Sequence, residues 1–181
     1  GSVGGIKLGL EFFAAQGPAG ITAVMAEAPG MPLFLDLKLH DIPNTVAGAV
    51  RAVAALKPRY LTIHAAGGPA MLRAAAEEAA KSGKIRVKLL GVTVLTSLDA
   101  QDLKRVGFAD RAMAGHVASL AALSRDCGLD GVICSPHEVA GLRRAMGPDF
   151  VLMVPGVRPG WSDTGDQQRV MAPAAAMRAG A

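Results

Sequence analysis

Aromatic residues and cysteines are scarce in this sequence. Only 4% of the 181 residues are aromatic, although 51% are hydrophobic. Alanine, Val and Leu must therefore fill most of the core, as in helices packed on short buried strands. The two cysteines, Cys127 and Cys134, are too few for a disulfide framework and match no zinc-binding spacing. We interpret them as buried thiols of a protein in the reducing cytoplasm.

Long hydrophobic runs and clusters of one charge are also missing. No stretch reaches the roughly 18 uninterrupted apolar residues of a membrane span, and the first residues lack the features of a secretory signal. The net charge is +4, but the 19 Lys and Arg residues are scattered. No aromatic residues are interleaved with them, as single-strand binding would require. These absences argue against membrane and nucleic-acid partners, and they leave a small anionic ligand open.

The Gly-rich phosphate turns GxGxxG and GxxxxGK[ST] do not occur either. What is present is an alternation of short apolar, β-branched runs with longer Ala-rich segments. We predict strands at 5–9, 33–39, 60–65, 87–95, 131–135 and 150–156. We predict helices at 18–28, 45–56, 67–83 and 115–128, with the polar residues 97–114 as a surface insertion. The alternation predicts a parallel sheet covered by helices, in one domain over residues 1–181.

Polar residues gather at the carboxyl ends of nearly all these predicted strands. They are Lys7, Asp36, Lys38, Asp41, His64, Thr96 and Arg158. An active site at the carboxyl ends of the strands is the hallmark of the (β/α)₈ TIM barrel. An open doubly wound sheet would normally carry a Gly-rich phosphate turn instead. The pattern therefore favours the barrel.

The most informative strand is LFLDLKL, because a central parallel strand should be almost wholly apolar. Asp36 and Lys38 are two residues apart and so point to the same side, which is inward in a barrel. One interpretation is a buried salt bridge that only fixes strand register. The other interpretation is a catalytic role. Asp41 and Lys7 can add a second carboxylate and a second ammonium, and alternating charges hold a lysine at a defined protonation.

The segment Asp36–Thr45, DLKLHDIPNT, resembles the DxKxxDIPNT signature of orotidine 5′-phosphate decarboxylases. Five other stretches agree with that family in order and spacing. They are IKLGLEFF at 6–13, IHAAGG at 63–68, GVTVLTS at 91–97, GLDGVICSP at 128–136 and VPGVRPGWSDTGDQQR at 154–169. The resemblance runs through essentially the whole chain. It implies an eight-stranded barrel that makes UMP from orotidine 5′-phosphate without any cofactor or metal.

The resemblance also implies roles for individual residues. Lys38 would protonate C6 of the pyrimidine, and Asp36 would hold Lys38 close to the substrate carboxylate. Lys7 would contact the ribose hydroxyls. Thr96 would bind the pyrimidine or the phosphate-side loop, and Arg158 and Gln167 would lie on a loop closing over the phosphate. A histidine at a strand end is more often structural, so we interpret His64 as a hydrogen-bonded structural residue.

The resemblance further implies a homodimer. Asp41, with Ile42 and Thr45, would reach into the active site of a partner subunit. Pro43 restrains the chain after Asp41, and we expect Ile42 and Val46 to point outward at a two-fold interface. The family's first strand, with a ribose-binding Asp, and its last strand, with a GRP motif, have no counterpart here. We therefore expect six of eight strands and a chain that is incomplete at both ends.

Two rival functions remain open at this stage. A related barrel enzyme acting on sugar phosphates would use a similar DxKxxD with magnesium, usually with a further acidic residue just before it. Here residues 32–35 are Pro-Leu-Phe-Leu, which favours the decarboxylase. The other rival is a non-catalytic phosphate-binding or scaffold protein, supported only by the missing strands.

Overall fold

Six parallel strands form one sheet in the computed structural model, which describes residues 4–83, 86–157 and 172–181. The strands are β1 (Ile6–Gly9), β2 (Leu33–Leu39), β3 (Tyr60–His64), β4 (Lys88–Val92), β5 (Gly131–Ile133) and β6 (Val151–Met153). Their order in the sheet is their order in the sequence. A doubly wound sheet reverses its order at a switch point, whereas a (β/α) barrel does not. The barrel prediction is confirmed, and each predicted strand is present.

Helices connect these strands. They are α1 (Leu10–Ala26), α2 (Pro43–Ala54), α3 (Gly68–Ala80), α4 (Ala100–Arg105), α5 (Met113–Asp126), α6 (Val139–Met146) and α7 (Pro173–Ala179). Short 3₁₀ turns at Ala65–Gly67 and Pro136–Glu138 precede α3 and α6. In the described part of the chain, no helix is both long and apolar enough to cross a membrane.

Strand β2 shows how the sequence separates the core from the site. Leu33, Leu35 and Leu37 are at most 5% exposed and belong to the packed core. The alternate residues Phe34, Asp36 and Lys38 line a cavity on the other side of the sheet. Alternation of side chains along a strand therefore places leucines against the helices and charges inside the barrel.

The buried apolar residues form two clusters. The first cluster joins β2 and β3 to α1, α2 and α3, and includes Leu35, Val50 and Met71. The second cluster joins β5 and β6 to α4, α5 and α6, and includes Leu103 and Val132. Both clusters lie on the face of the sheet that is covered by helices, because each consists of strand residues packed on helices.

The stretch 97–114, predicted as a surface insertion, is more ordered than that prediction implies. Asp99 caps α4 by accepting from the backbone N–H groups of Gln101 and Asp102. Leu103 of α4 is only 3% exposed. The buried ring of His116 accepts a hydrogen bond at Nδ1 from Arg111, so its Nε2–H donates to the carbonyl oxygen of Ala109 at 3.0 Å. The stretch thus packs on the second cluster through Leu103, with Leu98, Phe108 and Met113 partly buried against it.

Helix α1 begins eight residues before the predicted start at Pro18. Gly17 has φ +59° and ψ −164°, and this residue kinks the helix in front of Pro18. Proline is favoured in the first turn of a helix, and it marks only the second half of α1. The half at 10–16 was missed because the Gly-Pro pair reads as a helix start.

We predict that Gly17→Ala lowers the free energy of unfolding by about 1–3 kcal/mol, because the φ/ψ region of Gly17 is essentially restricted to glycine. A Cβ at Gly17 would meet no atom within 4 Å, so the cost is backbone strain and not a clash. Urea unfolding of both proteins would measure it.

Gly48→Ala in α2 is the matched control. A Cβ there also meets nothing within 4 Å, and φ is not positive. This change should be neutral or stabilising by up to about 1 kcal/mol, since Ala is the better helix former. Equal effects of the two substitutions would contradict the strain at Gly17.

Candidate functional site

The hydrogen-bonded ladder between β2 and β3 is interrupted where the charged residues lie. Leu35 pairs with Leu61 and Leu39 pairs with Ile63, so β2 advances four residues while β3 advances two. Lys38 takes up part of the excess with φ +49°, an uncommon value for a residue other than glycine. An irregular strand next to a site is a common way of redirecting a side chain.

Two lysines converge on one carboxylate at this point. Lys38 Nζ is 2.9 Å from Asp36 Oδ2, and Lys7 Nζ, from β1, is 3.3 Å from the same oxygen. The Asp36 side chain is 15% exposed, against 36% for Lys38 and 55% for Lys7. We call Lys7, Asp36 and Lys38 the lysine–aspartate array. The carboxylate lies deepest, and the two ammonium groups face the open end.

Thr62 is a residue of this site that the sequence reasoning missed. Its hydroxyl donates to Asp36 Oδ1 at 3.0 Å and accepts from the Lys38 backbone N–H at 2.9 Å. The side chain is fully buried. A signal existed, because Thr62 is a polar residue inside the apolar run YLTIHA, beside a charged strand, and a buried hydroxyl needs a partner.

The environment of Asp36 favours its charged form. Burial alone would raise the pKa of Asp36. The hydrogen bond and charge of Lys38, the hydrogen bond from Thr62 and the charge of Lys7 together outweigh burial and bring the pKa below the ordinary value. Asp36 is therefore ionised at neutral pH and keeps two ammonium groups beside it.

The array forms one wall of a cavity of about 500 Å³. Val92, Val94, Leu95 and Thr96 line it at the end of β4, and Ile133, Cys134 and Met153–Gly156 line it at the ends of β5 and β6. The cavity is therefore at the carboxyl ends of the strands, apolar on one side and charged on the other. Its volume is within the usual range for small-molecule sites.

His64, at the end of β3, is half-buried beside this site. Its ring centroid is 5.2 Å from that of His40. Burial is the largest cause that lowers the pKa of His64, and the charges of His40 and Lys38 lower it further against the opposing effect of Asp36. We expected a hydrogen-bonded structural residue, but the ring has no hydrogen bond to any residue that the structure describes.

Cys134 lines the cavity but is unsuited to act as a nucleophile. Burial, reinforced by Glu138, raises the pKa of its thiol to about 12, although Arg143 opposes this. The thiolate is the reactive form, and it is negligible at neutral pH. Cys127 is buried as well, and neither cysteine is in a disulfide, as predicted.

Asp41 is separate from the array. It is exposed, and its Oδ1 accepts the backbone N–H of Ile42 at 2.7 Å. Among the residues described, no Lys or Arg is within ion-pair distance of it. Ile42 is 67% exposed, and Thr45 is exposed in the first turn of α2.

The expectation that Val46 points outward was wrong. Val46 is 1% exposed and lies in the first cluster. Because α2 starts at Pro43, the residues Val46, Val50 and Val53 fall on one face of the helix, and that face packs on the sheet.

Thr96 lies on the cavity wall, as its predicted contact with substrate requires. Arg158 and Gln167, predicted for the phosphate side, lie outside the described residues. Among the described residues, the cavity lining extends to Pro155 and Gly156, and Gly156 is two residues before Arg158 in the sequence.

The whole chain, residues 1–181, matches the family model described as "Orotidine 5'-phosphate decarboxylase / HUMPS family". The chain belongs to the orotidine 5′-phosphate decarboxylase / HUMPS family. The match includes both walls of the cavity and the lysine–aspartate array.

Curated members of this family are closely similar over the chain. The orotidine 5′-phosphate decarboxylase of Paramagnetospirillum magneticum is 53% identical over 100% of this chain and 77% of its own length. That of Rhodospirillum rubrum is 56% identical over 99% of this chain and 73% of its own length.

A solved structure from the family agrees with the fold. The orotidine 5′-phosphate decarboxylase of Lactobacillus acidophilus superposes with a TM-score of 0.84, at 37% sequence identity, over 97% of this chain and 74% of that chain. The six strands described here are therefore those of the TIM barrel in this family.

Proposed function

We propose that this protein decarboxylates orotidine 5′-phosphate to UMP and carbon dioxide, a step of pyrimidine biosynthesis. The observation that carries the proposal is the lysine–aspartate array on the wall of a cavity that is otherwise mostly apolar. The relatives named above carry this activity in their names, and the family is shared.

Lys38 is the proton donor in this proposal. When the bond between C6 and the carboxylate breaks, carbon dioxide leaves and the electron pair remains on C6. The ammonium of Lys38 gives that carbon a proton, and the neutral amine then regains a proton from water. Asp36, 2.9 Å from Lys38 Nζ, holds the ammonium in place before the bond breaks.

Asp36 has a second effect in this scheme. A substrate carboxylate bound beside Lys38 would be close to the Asp36 carboxylate, whose lowered pKa keeps it charged. Repulsion between two carboxylates is lost when one of them leaves as neutral carbon dioxide. The developing negative charge on C6 instead meets an ammonium, so the site favours the transition state over the substrate.

The remaining predicted residues bind the nucleotide. In this proposal Lys7, whose side chain is 55% exposed, contacts the ribose hydroxyls. Thr96, on the cavity wall, contacts the pyrimidine or the phosphate-side loop. We place Arg158 and Gln167 at the phosphate, because the guanidinium and the amide supply several hydrogen-bond donors to a dianion.

We also propose that the working unit is a cytoplasmic homodimer. Exposed Ile42 next to exposed Asp41 supports an interface at this edge, where Asp41 would reach the array of the partner subunit. The two unpaired thiols support a reducing compartment.

We expect turnover of orotidine 5′-phosphate to be unaffected by a chelator. The loss of substrate absorbance would be followed with EDTA, and then with added magnesium. Among the described residues, no group of three or more His, Cys, Asp or Glu side chains is placed to hold a metal. Activity that EDTA abolishes and magnesium restores would favour the sugar-phosphate chemistry described above.

Lys38→Ala should lower kcat by at least about a thousandfold, at the upper part of the range for removing a general acid. The fold should persist, because Lys38 is 36% exposed and Lys7 still pairs with Asp36. Circular dichroism would check folding, and stopped assays of UMP would check turnover.

Lys104→Ala is the control for that substitution, since Lys104 is an exposed lysine of α4 paired with Asp110. Its kcat should stay within about twofold of the wild-type value, as expected for a surface change. A substantial residual kcat in Lys38→Ala would exclude Lys38 as the proton donor.

Mixing two inactive variants, Lys38→Ala and Asp41→Ala, tests the shared site. In a heterodimer one site receives both defects and the other receives neither. If Asp41 serves the partner, subunit exchange should restore about half of the wild-type activity per heterodimer, by the symmetry of a two-fold interface. Subunit exchange would be verified by native mass spectrometry. No recovery after verified exchange would mean that Asp41 acts within its own subunit.

A further inference from the structure

The Thr62 hydroxyl makes two hydrogen bonds to the two residues on which the proposed chemistry depends. Strand β3 has a side chain, not a backbone group, opposite Lys38. The ladder pairs Leu35 with Leu61 and Leu39 with Ile63, and the residues of β2 in between have no regular partner. The Lys38 backbone N–H therefore bonds to Thr62 Oγ1 at 2.9 Å.

The direction of these bonds is fixed by chemistry. A hydroxyl has one proton to donate, and a backbone N–H can only donate. Since Thr62 Oγ1 accepts from Lys38, its own proton points to Asp36 Oδ1 at 3.0 Å. The other oxygen of Asp36 is held by Lys7 and Lys38. Both carboxylate oxygens are thus occupied, and the carboxylate plane is fixed.

The unusual backbone conformation of Lys38 also depends on the hydrogen bond to Thr62. With φ +49°, this residue is in a conformation that side-chain-bearing residues rarely adopt. Such a conformation persists only where its surroundings determine it. Thr62 is fully buried, so water does not compete for its hydroxyl.

We propose that Thr62 is a positioning residue that sets the orientation of Asp36 and the backbone conformation of Lys38 for catalysis. This inference rests on the proposed decarboxylase function. The competing explanation is that Thr62 only fills core volume and pairs β2 with β3. The two explanations differ in what the hydroxyl does, because valine has almost the same shape as threonine but no hydroxyl.

The test compares three variants of the protein. Thr62→Val removes the hydroxyl, Thr62→Ser keeps it, and Thr93→Val makes the same change at a matched buried residue directly after β4. Thr93 is 4% exposed, and its hydroxyl donates to the Ile133 carbonyl oxygen at 2.9 Å, touching no member of the array. Thr62→Cys, with a weak S–H donor of similar size, replaces Thr62→Val if the valine variant does not fold.

The first readout is turnover of orotidine 5′-phosphate. We expect Thr62→Val to lower kcat by about 10- to 100-fold, the range expected when a reacting group is misplaced by up to about 1 Å. KM should change by less than about threefold, because Thr62 does not line the cavity. Thr62→Ser and Thr93→Val should both stay within about threefold of the wild-type kcat.

The second readout needs no activity. Carbon-13 NMR titration would follow the Asp36 carboxyl, assigned with Asp36→Asn. The hydrogen bond from Thr62 helps to lower the pKa of Asp36, so its loss should move the titration to higher pH. The titratable groups around Asp36, namely Lys7, Lys38 and His64, are the same in all variants. Thr62→Ser and Thr93→Val should titrate like the wild type.

The two readouts separate failure of this inference from failure of the proposed function. A wild-type protein that does not decarboxylate orotidine 5′-phosphate would refute the function, while the titration would still show whether Thr62 orients Asp36. A folded Thr62→Val with wild-type kcat and an unchanged Asp36 titration would overturn the inference. So would a loss of activity in Thr62→Ser equal to that in Thr62→Val.

Discussion

A carboxylate on the inner face of a barrel strand is the constraint on which the rest of this site depends. Asp36 can stay ionised there only if donors compensate for the water it loses. Lys38, Lys7 and the Thr62 hydroxyl, from three neighbouring strands, supply them. The pairing of β1, β2 and β3 is thereby tied to the electrostatics of the cavity, because each strand contributes one side of the same cluster.

This arrangement also explains why an irregular strand persists in the sheet. A regular β2 would pair its backbone fully with β3, but Lys38 departs from that geometry with a positive φ. The lost ladder contact is replaced by a side chain of β3. The irregularity brings the lysine ammonium to 2.9 Å from Asp36, where its charge offsets the burial of the carboxylate.

Much of this architecture could be predicted from the sequence, because it follows from local patterns. Short apolar runs located all six strands, and the charges in LFLDLKL pointed to the inner face of β2. The register shift could not be predicted, since it depends on how β2 and β3 pair, which no local pattern records. Thr62 was missed for the same reason. Its hydroxyl can bond to the Lys38 backbone only because β2 is irregular opposite β3.

The start of α1 and the direction of Val46 differ from the sequence-based predictions because both depend on tertiary packing as well as on local residue types. The Gly-Pro pair at 17–18 marks a kink within α1 as well as the start of its second half. Val46 follows an exposed Ile42, yet it turns inward because Pro43 sets the phase of α2. In both places the residue types were informative, but the tertiary packing decided what they did.

The division of the core into two clusters has a consequence for how the molecule can fluctuate. The array stands on strands β1 and β2, beside the first cluster, whereas the opposite cavity wall stands on β5 and β6, beside the second. Proteins open locally in roughly contiguous cooperative units, which often coincide with supersecondary motifs. A transient loosening of the second cluster would widen the mouth of the cavity without disturbing the contacts of Asp36. We therefore expect local opening of the second cluster to admit and release the nucleotide while the contacts of Asp36 persist.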